Sequence, residues 1–230
     1  MVIDFKSFLK KKTLSDKGCF PYGSRVYKAF IGGGKTLSMT HDIFKLKEKY
    51  PKMITFANYN IYGLKDFYLI NSPQMMDYAL SFNNGEYGVI VAIDEAHLFW
   101  LKKDGIPVEV LSAISYQRKD RKKILMTTQV WDELPVSTRK QVMEVVNCIR
   151  VFNMQINVIY NGSKLRYDKK ESAYIAPKLY TSIFKHNDEL YKSFNTTQKA
   201  IKNDELVANT LTMAQDAPPV PVNVNIKKGK

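Results

Sequence analysis

Three short clusters of side chains have the types and spacing to do chemistry together. The first is Gly32-Gly33-Gly34-Lys35-Thr36, which interrupts a β-prone run containing Val26, Tyr27, Phe30 and Ile31. Main-chain N–H groups of a glycine turn can converge on phosphate oxygens only where no Cβ intrudes. A helix starting beneath the turn adds its partial positive charge. Lys35 then reaches the β- and γ-phosphates of ATP, and the Thr36 hydroxyl is placed to ligate Mg2+. The pattern G-x-x-x-x-G-K-[ST] is missed at its first position, where Ala29 stands for glycine.

The second cluster is Asp94-Glu95, directly after the apolar run Val89 to Ile93. Two carboxylates at the tip of a buried strand need a cation or a proton to manage. Asp94 fits the Mg2+ shell through a water, and Glu95 fits the base that orients and deprotonates an attacking water. The third cluster closes "KKILMTTQ" with Thr127, Thr128 and Gln129. Gln129 is the first choice for touching the γ-phosphate or its water, and Thr128 the second. Taken singly, the clusters also read as an ordinary turn, an acidic helix cap and a strand-end amide. In this order and spacing they favour nucleotide hydrolysis with ATP and Mg2+.

These residues need a scaffold that gathers them, and the hydrophobic pattern predicts one. Residues 25–31 read as a strand. Met39, Ile43, Leu46 and Tyr50 recur with helical spacing and stop before Pro51. Met53 to Ala57 is a second strand, and Ser72-Pro73 starts a helix through "PQMMDYALSF". The continuous apolar run "GVIVAID" is the pattern of a strand buried on both faces of a parallel sheet. A helix over 107–118, a strand from Ile124 to Thr128 and a helix over Ser137 to Asn147 follow. Alternating strands and helices predict a doubly wound α/β core over 25–150, after a lead-in over 1–24. From Cys148 the texture changes to short tyrosine-rich strands around Asn161-Gly162, expected as a small β-rich extension over 151–212. The Pro/Val/Asn-rich residues 213–230 read as a flexible basic tail.

The 230 residues are 45% hydrophobic, which is globular composition. No run approaches the length of a membrane helix, and the first residues lack a secretory signal, so no membrane insertion and a cytoplasmic location are expected. Cys19 and Cys148 have no metal-ligand spacing and fit a reducing compartment. The net charge is +13, concentrated before residue 61 and after residue 112 around a net acidic middle. That distribution suggests a polyanionic partner, with the carboxylates kept for another purpose.

"AFIGGGKT", "ITFANYNI", "VIVAIDEAHLFW" and "SYQRKDRKKILMTTQ" together resemble the P-loop NTPases of the zonular occludens toxin-like group. They also resemble the wider clan of FtsK/HerA-type DNA pumps, which includes viral genome-packaging ATPases. "ELYKSFNTTQ" is similar to the tyrosine-rich segment that closes toxin-like domains. The resemblance covers roughly residues 25–200. It implies a RecA-like P-loop NTPase core of the additional-strand (ASCE) type, with the carboxylate strand between the phosphate-loop strand and the strand ending in Gln129. It also implies a homo-oligomeric ring, ATP-driven movement of double-stranded DNA, and an arginine donated across the subunit interface. Arg118 is the first candidate for that arginine, Arg121 the second, with Arg139 after them. Lys102, Lys103 and the run from Lys119 to Lys123 are candidates for lining a DNA pore. A portal or capsid protein and a packaging RNA are further candidate partners. A filamentous-phage assembly or export ATPase working with a separate membrane partner is the alternative function, and a nucleotide-gated DNA binder is a third. Toxin-like phage proteins usually carry a membrane segment after the ATPase domain, and its absence here favours the packaging motor for viral DNA, in the host cytoplasm. "DEAH" also heads a helicase family, but the second RecA-like domain of those helicases does not fit in this chain.

Overall fold

A computed structural model describes residues 19–99 and 108–194. Its strands are β1 (Gly23–Lys28), β2 (Ile54–Ala57), β3 (Phe67–Leu69), β4 (Val89–Ile93), β5 (Lys122–Thr128), β6 (Glu144–Val151), β7 (Met154–Asn161), β8 (Arg166–Asp168), β9 (Ala173–Ile175) and β10 (Lys178–Lys185). Its α-helices are α1 (Lys35–Lys49), α2 (Pro73–Ser81), α3 (Ala96–Phe99), α4 (Val108–Tyr116), α5 (Val136–Gln141) and α6 (Asp188–Lys192).

Eight strands form one sheet in the order β10-β7-β6-β1-β5-β4-β2-β3. From β6 to β3 every pairing is parallel, while β7 and β10 add antiparallel. All residues of β4 and β5 are buried, as a parallel sheet covered on both faces requires. Alternate β4 side chains divide between two cores. Val89, Val91 and Ile93 pack with Met76, Leu80 and Ile114 of α2 and α4. Ile90 and Ala92 pack with Met39 and Ile43 of α1. The small β8–β9 hairpin stands apart from the main sheet.

β5 lies between the phosphate-loop strand β1 and the carboxylate strand β4. The expected order, with the carboxylate strand in the middle, is therefore corrected. Met126 pairs with both Val26 and Ile93, so the tips of all three strands end at one edge of the sheet.

Three further expectations need correction. The helix over Ser137 to Asn147 stops at Gln141, and Val145 and Val146 enter β6. Their β-branched side chains fit the slot beside β1, and short apolar runs read equally as helix or strand. The hairpin turn falls at Phe152-Asn153 rather than Asn161-Gly162, with Phe152 in the left-handed region (φ 50). The boundary after residue 150 falls inside β6, and β6, β7 and β10 extend the core sheet.

After β10 the chain forms a strap across the α1 face. His186 sits beside Gln155 of β7, and Leu190 and Phe194 join the core that contains α1. The far end is fixed next to the segment after β2, where Tyr62 N–H donates to the Ser193 carbonyl at 2.7 Å and Phe194 bridges Ile61. The lead-in before residue 19, Lys102, Lys103 and the tail over 213–230 lie outside the described residues.

Candidate active site

The glycine loop joins β1 to α1, as expected. Gly34 is the residue before the helix and adopts the left-handed conformation (φ 82, ψ 28), which disfavours any residue with a Cβ. A Cβ at Gly33 would come within 2.5 Å of the Ala29 Cβ and 3.1 Å of the Phe30 carbonyl oxygen. Ala29 thus occupies space that a side chain at 33 would need. No side chain caps α1 and no acidic residue lies in its first turn, so its leading N–H groups are available to an anion. The loop is braced from β7, where the Gln155 amide donates to the Gly33 carbonyl at 3.1 Å.

Opposite the loop, the Thr36 hydroxyl donates to Asp94 Oδ1 at 2.9 Å. Thr127 donates to the same oxygen at 2.6 Å, while its own oxygen accepts the Glu95 N–H at 2.8 Å. Asn58, at the end of β2, holds the Asp94 main chain from both sides. It accepts from the Asp94 N–H at 2.7 Å and donates to the Asp94 carbonyl at 3.0 Å. Burial raises the Asp94 pKa, against the opposing hydrogen bonds from Thr127 and Thr36.

Glu95 has a positive φ of 51, an uncommon backbone state for a side chain of its size. The turn aims its carboxylate back over the loop. Oε1 lies 3.9 Å from Lys35 Nζ and accepts from the Gln129 amide at 3.2 Å. Oε2 is buried with no hydrogen-bond partner among the described residues, although His97 Nδ1 stands 3.4 Å away. Held at Oε1 by the lysine and the amide, the Glu95 carboxylate lines the cleft as an acceptor for the proton of a water.

Gly32, Gly34, Lys35, Thr36, Asp94, Glu95 and Gln129 thus line one cleft of about 230 Å3, with Gly33 supporting it from behind. A larger cleft, about 470 Å3, lies between α2 and α4 and contains none of these residues. The Thr36–Asp94 pair suits Mg2+, which prefers few protein oxygens and fills the rest of its shell with water and phosphate. No cluster of three acidic, histidine or cysteine ligands occurs among the described residues. When bound, Mg2+ would supply charge neutralisation at the phosphates.

Arg118 and Arg121 are not brought to this cleft. They lie in the turn before β5, at the opposite edge of the sheet, and seven residues of strand span roughly 23 Å. Arg118 is exposed, and Arg121 donates to the Glu86 carbonyl at 3.4 Å. Arg139 is engaged by Asp132 at 2.6 Å and by the Tyr174 hydroxyl. Lys122 and Lys123 are buried in β5 and cannot line a pore. Lys122 Nζ donates to the Leu80 carbonyl in the last turn of α2, and Lys123 Nζ lies 3.8 Å from Glu144. Thr128 turns to the Val130 carbonyl instead of the cleft.

Thr127, Asn58, Arg150, Tyr191 and Phe194 complete the surroundings and were not singled out from the sequence. Thr127 was visible only as a member of the strand tip. Asn58 lies within "ITFANYNI" but carries no role there, and Arg150 lies outside the quoted motifs. Tyr191 and Phe194 belong to the tyrosine-rich segment whose resemblance implied closure of the domain.

A phosphate loop after one parallel strand, carboxylates after another and a third strand between them define the RecA-like P-loop NTPase fold of the additional-strand type. The chain is similar to the N-terminal domain of zonular occludens toxin from Neisseria meningitidis. The two share 19% identity over 76% of this chain and 99% of that one, with a TM-score of 0.53, which shows a common fold. The genome packaging NTPase B204 from Sulfolobus turreted icosahedral virus 2 in complex with ATP-gammaS aligns at 10% identity over 66% of this chain and 95% of that one, with a TM-score of 0.46. The DNA-packaging ATPase B204 from Sulfolobus Turreted Icosahedral Virus aligns at 12% identity over 68% and 97%, with a TM-score of 0.47. No protein-family model and no curated protein matches the chain in sequence. No helix among the described residues is long and apolar enough to cross a membrane.

Proposed function

We propose that this chain is an Mg2+-dependent ATPase that drives double-stranded DNA through a homo-oligomeric ring, as a viral genome-packaging motor. The observation that carries the hydrolytic part is the convergence of Thr36 on Asp94 at 2.9 Å, with Glu95 between Lys35 and Gln129. Lys35 and the leading amides of α1 hold the phosphates. Thr36 and Asp94 would hold Mg2+, and Glu95 takes the proton of the attacking water while Gln129 holds its carboxylate in line. As water adds to the γ-phosphorus, the bond to the bridging oxygen breaks and the leaving charge is taken up at Lys35.

Arg118, or Arg121 after it, acts across the subunit boundary in this reading, since neither reaches its own cleft. The net charge of +13 supports a polyanion partner held through its phosphates, with strong salt dependence. Lys119, exposed in the turn before β5, remains a candidate DNA contact. A portal or capsid protein, or a packaging RNA, would provide the fixed point against which the ring works. The two free cysteines suit the reducing cytoplasm of a host cell.

The decisive assay is ATP hydrolysis with and without duplex DNA, for the wild type and Glu95→Gln. DNA-stimulated turnover that the substitution abolishes supports the motor. Nucleotide and DNA binding without turnover would leave a gated binding protein. The fold shared with the toxin domain favours a second reading, an assembly or export ATPase of a filamentous phage with a separate membrane partner. Co-sedimentation with the host membrane fraction distinguishes it from the packaging motor.

A further inference from the structure

Three side chains on the rim of the phosphate cleft have no part in hydrolysis as derived above: Arg150, Tyr191 and Phe194. β6 pairs with β1 only as far as Asn147 opposite Lys28, then continues to Val151. That overhang carries Arg150 up beside the loop, whose Gly33 turn packs near the Cys148 carbonyl. Arg150 makes no ion pair with any described residue, so its charge enters the cleft uncompensated. Its field acts together with burial to lower the pKa of His186.

Tyr191 is held in place by a chain of contacts that ends at the phosphate loop. Its hydroxyl lies 2.7 Å from His186 Nδ1, and His186 Nε2 lies 3.4 Å from Gln155 Oε1. Gln155 in turn donates to the Gly33 carbonyl at 3.1 Å. Phe194 is 4% exposed and is anchored through the bridge to Ile61.

The cleft is electrically lopsided. Asp94, Glu95 and Gln129 follow β4 and β5, while Arg150 belongs to β6 on the other side of β1. A triphosphate whose terminal group is at Lys35 and Thr36 is repelled by the carboxylates along the rest of its length. It therefore leads away from β4, toward the guanidinium and the two aromatic rings.

We propose that Tyr191 is the platform on which the nucleotide base stacks, with Phe194 behind it, and that Arg150 neutralises the phosphate chain on the side away from Asp94. The assignment rests on the nucleotide reading above and extends it to the nucleoside end. The Tyr191 hydroxyl is engaged by His186 and the Gln155 amide by Gly33, so the tyrosine wall presents a face rather than a hydrogen-bonding edge. Stacking on a face is tolerant of base identity. The substrate class is thus nucleoside triphosphates, with adenine and guanine accepted alike.

Calorimetric titration of the full chain with Mg2+ and ATPγS, GTPγS or inorganic tripolyphosphate tests this. Tyr191→Ala is expected to weaken ATPγS and GTPγS about ten-fold, the loss of one stacked base, while tripolyphosphate stays within about two-fold. Tyr191→Phe keeps the ring and stays close to wild type for all three. Arg150→Gln is expected to weaken all three about ten-fold. Should Tyr191→Ala fail to fold, Tyr191→Leu supplies bulk without a π-face and reads the same contrast. Unchanged ATPγS binding in the Tyr191 variant, or an equal loss for tripolyphosphate, overturns the platform. Unchanged binding in Arg150→Gln overturns the role of that arginine, and a hundred-fold preference between the two nucleotides overturns the loose base choice. Wild-type binding of tripolyphosphate as tight as ATPγS refutes the base site alone. Wild-type binding of none of the three refutes the nucleotide reading itself.

Discussion

Thr127→Val removes one oxygen from the centre of the site and keeps the shape of the side chain. Thr127 is fully buried, and its hydroxyl both donates to Asp94 Oδ1 at 2.6 Å and accepts the Glu95 N–H at 2.8 Å. A bond to a carboxylate contributes roughly 1.5–3 kcal/mol and a neutral one roughly 0.5–1.5 kcal/mol, so the variant should lose about 2–4.5 kcal/mol at neutral pH. The loss should depend on pH. Burial already raises the Asp94 pKa, and the Thr127 hydrogen bond is the larger of the two that hold it down. A carboxyl whose folded pKa exceeds its unfolded value, about 3.9, contributes stability that is full below that unfolded value. That contribution is lost as pH rises through the folded pKa. Removing the donor moves the folded pKa further up and enlarges the neutral-pH penalty. As pH falls the carboxyl takes up its proton and needs the donor less, so the loss shrinks toward the cost of the orphaned Glu95 amide, about 1 kcal/mol. Urea denaturation of both proteins at pH 7 and pH 4 measures the two differences. Equal destabilisation at the two pH values, or a loss below about 0.5 kcal/mol at pH 7, would refute the reasoning.

Gly34→Ala should cost roughly 1–2 kcal/mol for the left-handed backbone alone, and more because the new methyl meets Gln155 Oε1. Adding Gln155→Ala should relieve the contact but not the backbone term, which denaturation of the single and double variants will resolve. Lys122 has its pKa pushed down to about 8 by burial, so the folded state holds fewer protons than the unfolded chain above that pH. Stability should therefore rise from pH 8 to 10 in the wild type and rise less in Lys122→Met, as read from urea midpoints. Arg25→Ala would strand Asp42, bonded to it at 2.5 Å, and Glu144 at 2.6 Å. Breaking such a buried network costs about 3–5 kcal/mol, which thermal or urea unfolding would register. A loss under about 1 kcal/mol would mean that water reaches those carboxylates.

The parts of the site that were legible are those written contiguously. Gly32 to Thr36, Asp94-Glu95 and Gln129 each sit at a strand tip, and an apolar run followed by an abrupt polar residue marks such a tip. The residues that hold them were not legible, because they come together only when the sheet closes. Asn58 reaches Asp94 across 36 residues, and Gln155 reaches Gly33 across 122. Gln155, Asn157 and Ile159 share the buried face of β7, yet in the sequence the apolar residues between them, Ile156 and Val158, look like the inward ones. Lys122 and Lys123 misled because charge in a sequence reads as surface, whereas a helix-end carbonyl and Glu144 accept these two inside. The expected order of β4 and β5 came from the resemblance and not from the residues, which do not carry it. Apolar runs identify buried strands but do not encode which neighbour each one pairs with.

The most direct measurement is a crystal structure of the protein with Mg2+ and a non-hydrolysable ATP analogue. The account predicts the β- and γ-phosphates on the amides of residues 32–36, with Mg2+ between the Thr36 hydroxyl and the Asp94 carboxylate and a water at Glu95. An analogue bound elsewhere, or a metal held away from Thr36 and Asp94, would contradict it.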